Sequence, residues 1–309
     1  MHWRIKGTVQ KVLGYVPGGD VLHFHLQRRF GGLQNFRREL ESKVEDWTIM
    51  AHHLRDAGLS FRGLRGFEIG SGWYPTFPIA CYLAGVERLF TYHLTRHMRA
   101  DLTLACVDAL EGSLQTIAES AATDLEGVQA RYQQLRTRMQ AGEDVQSASD
   151  GVIIYRAPAD ATRTDLPDNS VDVVFSNSVL EHVPGEVITA MYRESLRILS
   201  PGGVMFHSVN CGDHYAYVDR KVHQLHYLRY SDAEWQRWNN DFLYQNRLRA
   251  HYFVDEAREM GFDIVLDTST TRPERLAQLQ AMSVHPQFAH YAPEQLCITS
   301  VDFIARKVA

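Results

Sequence analysis

Gly66-Phe67-Glu68-Ile69-Gly70-Ser71-Gly72 is the stretch on which the reading of this chain turns. Together with Leu64 and Arg65 it reads as a short buried strand, Leu64 to Ile69, running into Gly-Ser-Gly. An acid near the strand's end and a glycine on each side of Ser71 permit a tight turn. They also let backbone N–H groups approach a ligand with no Cβ in the way. The third glycine of a dinucleotide fingerprint would fall at position 75, which is Pro75, and no lysine with serine or threonine follows as in a phosphate-binding P-loop. The turn therefore points to a ligand other than a dinucleotide or a nucleoside triphosphate.

Outward from this turn the chain alternates between strand and helix. Phe77 to Leu83 reads as a helix closed by Gly85, Val86 to Leu94 as a second strand, Val152 to Tyr155 as a third and Val171 to Ser176 as a fourth. A helix over Glu186 to Leu199 ends at Ser200-Pro201-Gly202-Gly203, and Val204 to Val209 is a fifth strand. Tyr252 to Met260 reads as a helix, with last strands at Phe262 to Leu266 and Cys297 to Lys307, one of them turned antiparallel. This alternation predicts an α/β doubly wound sheet. Two segments depart from it: a helical insertion over 95–151, expected as helices Arg99 to Ser120 and Thr123 to Met139, and an aromatic stretch over 212–252. Residues 1–60 read as an N-terminal helical cap, with Leu33, Phe36, Leu40, Val44 and Trp47 at helical spacing, leaving 61–309 as the main domain.

Three further motifs come in order after the glycine turn. Asp160-Ala161 follows the third strand. Leu166-Pro167-Asp168-Asn169-Ser170-Val171-Asp172 leads into Ser176-Asn177-Ser178-Val179-Leu180-Glu181-His182, and Leu199-Ser200-Pro201-Gly202-Gly203 completes the series. Over roughly residues 60–210 this progression resembles the class I S-adenosylmethionine-dependent methyltransferases. The resemblance implies a Rossmann-like, seven-stranded, mostly parallel sheet and S-adenosyl-L-methionine as cofactor. It places Glu68, Gly70 and Gly72, with Ser71 between them, at the methionine end. Asp160 would accept from the adenine amine, Ala161 would offer its backbone N–H, and Ser176 and Asn177 would lie beside the sulfonium. The acid that usually binds both ribose hydroxyls at the end of the second strand is replaced by His93, which can accept one hydroxyl proton but cannot bridge two donors.

Composition narrows the setting. With 45% apolar and 22% charged residues the chain is an ordinary globular protein, and a net charge of −5 leaves no footprint for nucleic acid or an anionic membrane. The basic run Arg28, Arg29, Arg37 and Arg38 reads as a solvated helix face. Four scattered cysteines without CxxC spacing point to a reducing compartment, and no apolar stretch is long enough for a signal peptide or a membrane span, so a cytoplasmic protein is expected. None of the fifteen histidines sits at zinc-protease spacing, and no metal is expected. A homodimer is left open.

Acceptor choice falls to the segment after the fifth strand. Asp213-His214-Tyr215 stands at the ligand edge of the sheet, followed by Tyr217, Tyr227, Tyr230, Trp235, Trp238 and Asn246-Arg247-Leu248-Arg249. In style this segment is similar to methyltransferases encoded among bacterial surface-glycan and natural-product genes. That likeness implies a small polar acceptor, a sugar or natural product, methylated on oxygen in small-molecule biosynthesis. The opposing reading is an aromatic lid packed on the helical cap. His214, oriented by Asp213, is the first candidate base and His182 the second. Displacement chemistry on the cofactor's aminobutyl group, with release of methylthioadenosine, and a non-catalytic small-molecule binder are the alternatives.

Overall fold

Side chains along Val171-Asp172-Val173-Val174-Phe175 leave the strand on alternate faces, and each face meets its own core. Val173 and Phe175 enter one hydrophobic cluster and Val174 the other, which Val171 joins across a register shift between Val171 and Val173. Val204 and Phe206 repeat the split against Met205 on the neighbouring strand. A sheet covered on both faces accounts for strands that read as continuous apolar runs. The computed structural model describes residues 2–16, 22, 29, 35–240, 242 and 244–308.

The seven strands are β1 (Arg65–Ile69), β2 (Arg88–Tyr92), β3 (Ile153–Arg156), β4 (Val171–Asn177), β5 (Leu199–Asn210), β6 (Phe262–Asp267) and β7 (Ser300–Lys307). They lie in the order β3-β2-β1-β4-β5-β7-β6. The first five run parallel, and β7 is inserted antiparallel between β5 and β6. Strand order reverses between β1 and β4, so a crevice opens beyond their carboxyl ends, where parallel sheets take ligands. The second strand is shorter than its apolar run: it stops at Tyr92 and releases His93 and Leu94 to the crevice.

Residues 1–60 act in two places. Helix Phe36–Asp56 buries Leu40, Val44, Trp47, Met50 and Leu54 in the same cluster as β4's Val173 and Phe175, so it is a layer of the main core. Its Arg37 and Arg38 are exposed, as a solvated face requires, while Arg28 and Leu33 lie outside the described residues. Helix Trp3–Gly14 instead sends Trp3 into a third cluster with Tyr215, Tyr227, Leu228, Trp235, Phe288 and Leu296. The insertion forms helices Ala100–Ala109, Leu114–Ala121 and Leu125–Gln140. The single long helix expected over Arg99 to Ser120 is broken by a tighter turn at Leu110–Ser113, where Gly112 weakens helix formation. All four cysteines are free and buried, and no described helix is long and apolar enough to cross a membrane.

Candidate active site

A cavity of about 560 Å³ fills the crevice at the strand-order reversal. Its wall brings together Glu68, Gly70, Ser71, Gly72, His93, Asp160, Ala161 and Asn177, gathered from the ends of β1, β2, β3 and β4. Gly70 and Gly72 both take positive φ, +87° and +67°. A Cβ on Gly70 would come within 2.6 Å of Val179, so a side chain there meets protein before ligand, whereas a Cβ on Gly72 would meet nothing within 4 Å.

Glu68 is buried and accepts from the Thr91 hydroxyl on the neighbouring strand. Burial pushes its carboxyl up to about 7, against the opposing pull of that hydroxyl and of the Lys43 ammonium. Lys43 reaches the cavity from helix Phe36–Asp56, where it donates to the Asn177 side chain and pairs with Asp46. Nothing in the sequence marks it, since one lysine on the polar side of an amphipathic helix looks like any other. His93 lies at the wall with Nδ1 accepting the Thr95 amide at 3.2 Å, which leaves Nε2–H as a donor. Desolvation, then the neighbouring His97, lowers its pKa to about 4, so it is neutral near pH 7. Nearby, Arg96 donates to the Ala157 carbonyl at 2.7 Å. In the loop after β3, Asp160 holds the backbone and hydroxyl of Thr162 with one oxygen, leaving the other for a ligand. Trp73 and Tyr74 both line the cavity, and Tyr74 also packs edge-on to Phe36.

Ser176 is not in that wall. Its side chain points into the sheet's core, fully buried, with Oγ 2.7 Å from His207 Nδ1. The pleat is the reason: Asn177, one residue on, faces the cavity, so Ser176 cannot.

Residues 89–207 match the family model described as a methyltransferase domain. The match begins at β2, so the glycine turn and its cavity geometry are observations separate from it. The chain carries a methyltransferase domain. No curated protein matches it. Among solved structures it is similar to an S-adenosylmethionine dependent methyltransferase from Mesorhizobium loti, at 19% identity and a TM-score of 0.45, covering 82% of this chain and 95% of that one. It is also similar to a methyltransferase of the same cofactor from Methanosarcina mazei, at 13% identity and a TM-score of 0.45, covering 82% and 97%. Both scores lie below 0.5, and the assignment rests on the domain match with the strand order and the glycine turn.

On its acceptor side this methyltransferase departs from the sequence reading. Asp213 does not orient His214: it is fully buried, with one oxygen 3.0 Å from His226 Nδ1 and the other accepting the Tyr215 amide. Tyr215, Tyr227 and Trp235 are buried in the third cluster beneath Trp3, so the lid packed on the cap is what the structure shows. Arg249 is completely buried and donates to the carbonyls of Cys211, Leu296 and Ile298 and to the Tyr227 hydroxyl. Arg247 holds the carbonyls of Tyr227 and Tyr230. Tyr215, Tyr227, Trp235, Arg247 and Arg249 are therefore internal struts, whereas Tyr217 is exposed.

His182 does line the cavity, from the short turn Leu180–His182 after β4. His214 packs edge-on against it, ring centroids 4.9 Å apart. Between them and the core sits Glu181, 2% exposed, whose two oxygens make no hydrogen bond of normal geometry, with the amides of Glu181 itself and Asn210 alongside. Burial pushes this carboxyl up to about 8. Glu181 is thus a buried acid beside two imidazoles.

Proposed function

We propose that this methyltransferase transfers the methyl group of S-adenosylmethionine to a hydroxyl of a small polar acceptor. The observation that carries the reading is His182. It stands in the wall of the cofactor cavity with Nδ1 bound to the Tyr244 carbonyl at 2.6 Å, so its free nitrogen is Nε2. A hydroxyl must lose its proton as it attacks the sulfonium methyl in line, and a neutral imidazole at the cavity edge is the group such an acceptor needs beside it. Glu68 and Lys43 would face the ammonium and carboxylate of the cofactor's methionine, which supports placing the methyl near Asn177.

His93, Asp160 and Ala161 fall where ribose and adenine would lie, with Val183, Pro184 and Val187 as an apolar wall. Attack by the acceptor oxygen forms the O–CH₃ bond as the S–CH₃ bond breaks, and the electron pair returns to sulfur. The test is mass spectrometry of products from the purified protein with isotopically labelled S-adenosylmethionine and a panel of polyhydroxylated acceptors. A labelled methyl ether with S-adenosylhomocysteine is expected. Methylthioadenosine without a methylated product would overturn the reading in favour of aminobutyl chemistry.

A further inference from the structure

Three residues from two separate loops converge behind the cavity wall. Glu181 and His182 come from the turn after β4, His214 from the loop after β5, and one donor atom of each lies within 4.8 Å of the others. Donors that share one ion at about 2.1 Å stand at most about 4.2 Å apart, so closing the set requires side-chain shifts of less than an ångström. We propose that Glu181, His182 and His214 form a binding site for one divalent transition-metal ion, of the zinc, cobalt or manganese class, which holds the acceptor's hydroxyl oxygen.

The free valences all point the same way. Both Glu181 oxygens and the Nε2 of His214 are enclosed yet make no hydrogen bond of normal geometry. Buried polar atoms are nearly always paired, and the His214 Nε2 together with a Glu181 carboxylate that has only the amides of Glu181 and Asn210 nearby leave room for a further partner. That partner must be electron-poor, because a carboxylate and imidazole lone pairs are donors to it. His182 gives its Nδ1 to a backbone carbonyl, the outer contact that fixes the tautomer of a ligating histidine.

The site is also braced as a unit. Three consecutive residues each hold one of its members. Tyr244 accepts from His182, and the Gln245 side chain accepts the His214 amide at 3.0 Å. The Asn246 amide donates to the Glu181 carbonyl at 3.0 Å, while the Asn246 side chain ties down the carbonyls of Leu180 and Val183. Gln245 is anchored in turn by the Gly212 carbonyl and Asn239. Such bracing exceeds what a lid needs and fixes the three donors relative to one another.

Two imidazoles and one carboxylate favour first-row transition ions over magnesium or calcium, which prefer all-oxygen sites. Three protein ligands leave open positions, and His182, the one of the three in the cavity wall, is where an acceptor in the cavity would meet the ion. An acceptor hydroxyl bound there would lose its proton to solvent. Its oxygen would then form the bond to the methyl carbon, with sulfur keeping the electron pair. With the ion bound, the His182 Nε2 lone pair is a ligand and no longer a base, so the ion takes over the activation of the acceptor hydroxyl. That role rests on the hydroxyl-acceptor reading, whereas the binding site does not.

Titration of metal-free, full-length protein with Co²⁺ alone, followed by visible absorption, tests the site directly. One saturable equivalent is expected, displaced by Zn²⁺, with affinity at least tenfold lower in Glu181→Gln and in His214→Gln. S-adenosylhomocysteine calorimetry on the same variants checks that they are folded. X-ray absorption of the Zn²⁺-loaded parent, which needs no variant, should show two imidazoles and oxygen in the first shell. Absence of a saturable equivalent, parental affinity in both folded variants, or a sulfur-ligated ion at the buried cysteines would each overturn the proposal. Co²⁺ binding together with methylation on carbon or nitrogen would leave the site standing and sink only the hydroxyl reading.

Discussion

The cavity wall and the segment after β5 use polar residues in opposite ways. On the cofactor side, Glu68, His93 and Asp160 hang from strand ends and turns and keep hydrogen-bonding capacity facing open space. In the segment after β5, Arg247, Arg249 and Asp213 turn inward, and nearly all their capacity goes to the protein's own carbonyls, amides and imidazole. A polar residue in a ligand-facing region is thus evidence of a ligand only when its neighbours in space leave it unfilled. If the contrast is real, mutations on the two sides should separate stability from binding.

Arg249 gives the largest expected effect. Its guanidinium meets four acceptors at zero exposure. Arg249→Met should cost roughly 3–5 kcal/mol of stability, since each buried acceptor left unpaired costs about 1–3 kcal/mol. Thermal unfolding followed by circular dichroism measures this. A melting temperature within about two degrees of the parent would break the comparison, because the segment after β5 would then be no more tightly tied than the cofactor wall.

Glu68 should show the converse. Glu68→Gln is expected to weaken S-adenosylhomocysteine binding roughly 10- to 100-fold, the loss of a charge-assisted contact to the ammonium. The same change should stabilise the cofactor-free protein above pH 7. The sign follows from a carboxyl whose folded pKa, about 7, lies above its ordinary value of 4.5. Its contribution is complete below 4.5, falls as pH rises, and is gone above 7. Melting curves of the parent should therefore decline between pH 5 and 7 more steeply than those of Glu68→Gln. Calorimetry should show parent affinity rising through the same interval. Parallel curves for the two proteins would mean that Glu68 is ionised in the free protein and its burial is relieved by a contact beyond Thr91 and Lys43.

Legibility followed the same divide. The glycine turn, Asp160-Ala161 and the strand before Asn177 were readable as parts of one cavity wall because each is set by residues adjacent in sequence, and backbone turns leave local marks. Ser176 was misplaced by one step of the pleat, an ambiguity that an apolar run on both faces does not resolve. Asp213 was given to His214 because they are neighbours in the chain, yet its partner is His226, thirteen residues on. Lys43 and the Glu181–His182–His214 cluster depend on contacts that span 134 and 33 residues, and no spacing rule reaches so far. Lys43→Met sharpens this point. Removing the ammonium should raise the Glu68 carboxyl further, weaken cofactor binding by about three- to tenfold and move the rise in affinity to higher pH, as the loss of a nearby opposite charge requires.

His93 offers the smallest expected change and the finest test of the cofactor wall. The imidazole is neutral near pH 7, takes the Thr95 amide on Nδ1 and presents a single donor, Nε2–H. A ribose with two hydroxyls finds there one hydrogen bond, in which a ribose oxygen accepts. An aspartate at the same position would accept from both hydroxyls and could still receive the amide two residues on, the usual local bond of that side chain. His93→Asp should therefore bind S-adenosylhomocysteine between equally and about tenfold more tightly, a gain of at most about 1.4 kcal/mol. Melting temperature should hardly move, because the side chain faces the cavity and carries no core contact beyond His97. Calorimetry at pH 7.5 decides the outcome. Affinity at least tenfold weaker in a folded variant would show that the Nε2–H donor is required by an acceptor atom of the cofactor. The cofactor wall would then be built around histidine, and no longer the place where it departs from the carboxylate pattern.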